Sequence, residues 1–188
     1  MAIVLGLIAL ASPWPAAAQQ GGATEYAVEI IVFRASNPGP SEDWTAPPQG
    51  RGFGNESTRG GAPQLLRVLP SSDYRLAGVE AALRGSGAWR PIAHAAWVQT
   101  AANWGTHTGI SLADVGINTA GLSGSVYLER ATYLHLGMEL SLAGSAATYS
   151  MSEMRSIKYN ERQYFDHPAF GVIAMVSPVS AAAAAANH

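Results

Sequence analysis

Between Tyr133 and Leu142 the chain alternates without a break. Leu134, Leu136, Met138, Leu140 and Leu142 are apolar, and Tyr133, His135, Gly137, Glu139 and Ser141 fill the positions between them. A strict period of two places every one of those apolar side chains on one face of an extended strand and leaves the other face wetter. A helix would spread the same residues around its circumference. The segment therefore demands a sheet with one buried face, and the rest of the chain must supply what covers it.

Several segments can do so. Glu25 to Arg34 (EYAVEIIVFR) is rich in β-branched and aromatic residues. Both alternating sets are largely apolar, which predicts a strand covered at least in part on both sides. Trp89 to Gln99, Gly124 to Arg130, Thr148 to Tyr159 and Gly171 to Val176 read as further strands. One helix is predicted from about Asp73 to Arg84, capped by Ser71 or Ser72 and ended by Gly85 or Gly87. Thr100 to Leu122 shows no usable period and reads as loop. The order is strand, loop, helix, strand, then four more strands. It predicts an α+β fold: mainly antiparallel sheet of about five to six strands, with one or two helices packed on a face.

A length of 188 residues suits one domain, placed at 24–178. Before it, Ala2 to Ala11 is uninterruptedly apolar and is followed by Ser12-Pro13-Trp14-Pro15 and then Ala16-Ala17-Ala18. Short apolar run, helix-breaking prolines and small-residue site form the layout of a secretory signal peptide, predicted at 1–18. No Lys or Arg precedes Arg34, so either the true start lies further upstream or the free amino terminus alone supplies the positive charge. The run is too short to span a bilayer, which takes ~20 residues. Residues 35–63 form a long Gly/Pro-rich loop, and the alanine-rich tail 179–188 is predicted to be disordered.

Composition and motifs exclude more than they select. There are no cysteines, hence no disulfides, thiolate metal sites, cysteine nucleophiles or lipidated N-terminus. A net charge of −2 offers no basic stripe for nucleic acid. Nucleophile elbows, S-x-x-K boxes, P-loops and His-Glu-x-x-His helices are all lacking. No catalytic residue, metal or cofactor is predicted. The alternative is a periplasmic metal-dependent hydrolase built on His135, Asp166 and His167, or a zinc site joining His94 and His135 across adjacent strands with Asp166. A third reading is a scaffold that recruits an envelope protein by strand addition.

The densest segment is Tyr164-Phe165-Asp166-His167-Pro168-Ala169-Phe170-Gly171. Pro168 presets a turn, Gly171 offers a left-handed backbone, and Asp166 can accept N–H groups of the turn. Neighbours in an extended segment point to opposite faces, which works against Asp166 and His167 as an acid–base pair. Indole faces stack on sugar rings, and arginines beside the turn can pair with carboxylates such as peptidoglycan stem peptides carry. The candidate ligand-binding residues are Arg155, Tyr164, Asp166, His167 and Trp97.

Four blocks in order carry a resemblance: Tyr26 to Phe33; His94 to Gln99; Gly124-Ser125-Val126 with Tyr133-Leu134-His135-Leu136; and Met154 to Ile157 with Tyr164 to Val172. In these the chain resembles the CsiV-type peptidoglycan-binding proteins of Gram-negative bacteria. The resemblance implies a periplasmic, non-enzymatic protein that binds peptidoglycan. It also implies support of cell-wall synthesis by a penicillin-binding protein through that enzyme's outer-membrane activator.

Overall fold

The computed structural model describes residues 24–36, 61–145 and 147–179. The predicted signal peptide, most of the 35–63 loop and nearly all of the tail lie outside these residues.

The alternating segments fold into two face-to-face sheets. The first holds, in spatial order, β2 (Leu65–Val68), β3 (Trp89–Thr100), β1 (Glu25–Ala35), β10 (Phe170–Pro178) and β9 (Arg162–His167), all antiparallel. The second is a meander of β6 (Leu122–Arg130), β7 (Leu134–Ala143) and β8 (Thr148–Ile157). Two short strands flank β6: β4 (Ala102–Asn103), parallel to it, and β5 (Ile110–Ser111), antiparallel.

The alternation in β7 does what its period requires. Leu134, Leu136, Met138, Leu140 and Leu142 enter a core shared with Tyr26, Val28, Ile30 and Val32 of β1 and Val172, Ala174 and Val176 of β10. The other apolar set of β1 is also used. Ile31, with Met175, is covered by Leu76, Val79 and Leu83 from the one α-helix among the described residues, α1 (Ala77–Gly85). β1 is thus central and covered on both faces.

The antiparallel α+β prediction holds, with the strands divided between two sheets of five rather than one of five or six. β2, β4 and β5 have two to four residues each, too few for any period to show. The helix begins at Ala77, not near Asp73, and neither serine caps it; Ser71–Asp73 is a 3-10 turn. Its free amides are met from outside. The Glu29 carboxylate of β1 accepts the N–H of Arg75 at 2.9 Å and of Leu76 at 2.8 Å, which satisfies donors that a helix start leaves open. Gly171 is needed for space rather than for a left-handed turn: a Cβ there would lie 2.7 Å from Phe33 Cζ.

Candidate functional site

The five candidate residues do not converge. β8 and β9 are the edge strands of the two sheets and meet along one seam. Arg155 of β8 lies over the Phe165 ring at 4.5 Å and donates to the Tyr164 carbonyl at 2.9 Å. It also pairs with Glu153. Arg155 therefore bridges the seam while its side chain stays part-exposed. Tyr164 and Asp166 project to the outer side of β9, where the phenol donates to the carboxylate at 2.9 Å. Burial first, then Asp166, pushes the Tyr164 phenol up to about 12. His167 points the other way: its ring lies 5.1 Å from Phe170, and its Nδ1 accepts the Ala169 N–H across the Pro168-Ala169 turn at 3.1 Å. That is the turn-capping role predicted for Asp166. Burial lowers the His167 pKa, in keeping with a neutral ring that accepts at Nδ1.

Trp97 is corrected outright. Its side chain is fully buried and its indole N–H is taken by Gln99 Oε1 at 2.6 Å, so it presents no face to a ligand. The residues of the metal alternatives are dispersed as well. His94 lies on β3 and His135 on β7, in different sheets, and no group of three or more metal-capable side chains occurs among the described residues.

What the sheet does assemble lies on the outer face of β6, β7 and β8. The register lines up rows across the three strands: Ser123–Ser141–Ser150, Ser125–Glu139–Ser152, Tyr127–Gly137–Met154 and Glu129–His135–Ser156. These are the polar halves of the alternating strands, so they face away from the core. Tyr127 donates its phenol proton to Glu139 at 2.9 Å. Burial, then Glu139, raises the Tyr127 pKa, so the phenol stays neutral.

A loop forms a ledge at one end of this face. Glu129 is fully buried and accepts the N–H of Gly105 at 2.9 Å and of His107 at 2.6 Å. Those bonds fold residues 103–108 back over the sheet. They set the Trp104 ring 4.1 Å from the His135 ring while leaving Trp104 52 % exposed. A flat field of hydroxyls bounded by an open indole suits a sugar chain, which offers hydroxyls at its edges and C–H faces for stacking. The sequence signal was present in the serines alternating through β6 and β8, but Trp104 lies in the stretch without a period.

A second cluster sits under α1 and was also not legible. His94 places Nε2 2.8 Å from Glu29 Oε1 and Nδ1 2.8 Å from Glu80 Oε2, with both Glu29 and His94 side chains 6 % exposed. Burial pulls the imidazole pKa down, but hydrogen bonds to Glu29 and Glu80 outweigh it and the net shift is upward. Burial likewise pushes the two carboxyls up. Bonds from His94, with the Leu76 and Arg75 amides at Glu29 and Arg84 at Glu80, hold both below their ordinary value. The three residues come from β1, β3 and α1, so the cluster clamps the helix to the first sheet.

A family model described as "Peptidoglycan-binding protein, CsiV" matches residues 1–179. No curated protein and no solved structure matches the chain.

Proposed function

The chain belongs to the CsiV family of peptidoglycan-binding proteins, and from that premise we propose that it is a periplasmic, non-catalytic protein that grips wall glycan on the outer face of β6–β8. The observation that supports this reading is Trp104, half-exposed and packed at a tilt against His135 at the end of a serine-lined sheet face. Export through the apolar N-terminal segment would deliver it to the compartment where that polymer lies. Support of a penicillin-binding protein, directly or through its outer-membrane activator, is the accessory role that the family likeness suggests. Tyr164 and Asp166, exposed on β9, stand as secondary contacts.

Co-sedimentation with purified sacculi tests the reading. The mature protein is expected in the pellet, and Trp104→Ala is expected to lower retention severalfold with no change in melting temperature, taking the loss of one aromatic-face contact as on the order of 1 kcal/mol, the scale of an aromatic pair. Recovery of the wild type in the supernatant, at the level of an inert control, would remove the proposal.

A further inference from the structure

At the far end of the sandwich from Trp104, two arginines face each other with no acidic partner among the described residues. Arg34 of β1 and Arg90 of β3 are direct cross-strand partners, just beyond the bulge that shifts the register between Val32 and Phe33. Like charges in that arrangement repel. Both side chains are exposed, and among the described residues neither has an ion-pair or hydrogen-bond partner.

Both line a groove of about 420 Å³ that runs between the sheet ends toward Tyr149, and both line an adjoining hollow of about 290 Å³ that runs toward Thr119. Among the described residues no Asp or Glu lines either one. The walls are otherwise small or apolar, with Leu142, Ala143 and Ala169 among them, and Ser36 and Ser145 add hydroxyls. In a chain of net charge −2 this is a local concentration of positive charge without a counter-ion among the described residues.

We propose that the Arg34–Arg90 groove binds the carboxylates of peptidoglycan stem peptides. The assignment rests on the wall-binding reading and adds the chemical class that this second site takes. Guanidinium groups pair with carboxylates through two parallel hydrogen bonds. A stem peptide brings several carboxylates on a backbone whose side chains are partly methyl groups, which suits cations above an alanine and leucine floor. Where a stem peptide is attached, the lactyl group of the glycan is tied up as an amide, so the sugar chain itself offers hydroxyls and amides and leaves the two charges unanswered.

The test uses the mature chain with two separate soluble probes. One is the tetrapeptide Ala–γGlu–diaminopimelate–Ala; the other is peptide-free glycan strands whose lactyl carboxylates, freed by the amidase, have been converted to carboxamides. Calorimetry is expected to show binding of the tetrapeptide. A loss of roughly tenfold or more is expected in the Arg34→Gln/Arg90→Gln double variant, as charge-assisted hydrogen bonds are lost, with glycan binding unchanged. The wild type should also bind the carboxamide form of the tetrapeptide at least tenfold more weakly, an arm that needs no variant to fold. Equal affinity of the double variant and the wild type for the tetrapeptide overturns the groove assignment, as does equal affinity of the wild type for acid and amide. Binding of glycan strands without binding of the tetrapeptide also overturns it and leaves the wall-binding reading intact. Binding of neither probe overturns both.

Discussion

His94 is bracketed at both ring nitrogens by carboxylates from two different elements, and that fixes how the clamp responds to pH. Its folded pKa lies above the ordinary 6.5. Its contribution to stability is therefore complete below the unfolded value and fades as pH climbs through the folded one. Glu29 and Glu80 have folded values below 4.5. Theirs is present above the unfolded value and is lost as pH falls through the folded one. The clamp is strongest in the window between those ordinary values. Urea unfolding should show a lower midpoint at about pH 9 than at about pH 6, and His94→Gln should flatten that difference. The same dependence in both proteins would detach the effect from His94. His94→Ala leaves two carboxylates facing each other under the helix and should cost about 3 kcal/mol, as when one partner of a buried ion pair is removed. Residue type could not foretell this cluster. Alternation along Trp89–Thr100 puts His94 on the same side of the strand as Ile92 and Ala96, but it carries no sign that α1 covers that side. Trp97 and Trp104 make the same point, since two indoles of equal chemistry became core and ledge through the strands around them.

At the level of elements, the seam between β8 and β9 explains a charged residue that points inward. Arg155 shares the core-facing side of β8 with Met151 and Ile157, yet it sits at a sheet edge where a second chain could pair. An inward charge on an edge strand guards against that pairing, and its bond to the Tyr164 carbonyl fills one open acceptor on β9. Arg155→Ala should destabilise by about 1 kcal/mol, the net worth of such a bond, and should raise self-association in sedimentation velocity. Lower sacculus retention at unchanged stability would instead make Arg155 a wall contact. Inside β6 the constraint is different. Gly124 has φ +128°, and a Cβ there would lie 2.0 Å from the Glu139 carbonyl oxygen. Gly124→Ala should therefore cost about 2 kcal/mol or more by thermal melting, from strain and overpacking together. The long strands were legible because their periods are long enough to count and their apolar sets are unambiguous. The split into two sheets was not, because which strands pair is decided by contacts between segments far apart in the chain. The helix start was displaced for a similar reason: its cap is a carboxylate on β1, forty-seven residues away from Leu76.

For the whole molecule, the proposed glycan face and peptide groove lie at opposite ends of the same strand. His135, beneath Trp104, and Ala143, in the groove, are separated by eight residues of β7. At ~3.3 Å per residue that is roughly 25 Å, and the serine rows fill the interval. The blocks that resemble the family could be read from the sequence. The proposed binding surfaces could not, since Trp104 and the arginine pair are set in place by a buried Glu129 and by a register shift. A polymer that carries both sugars and peptides can engage both ends at once, and the second contact is then made at high effective concentration. Trp104→Ala and the Arg34→Gln/Arg90→Gln pair should each leave part of the retention on intact sacculi. Their combination should reduce it by about the product of the separate losses, or more, because either remaining site tethers the other. A combined variant retained as well as the weaker parent would mean that only one of the two surfaces meets the wall.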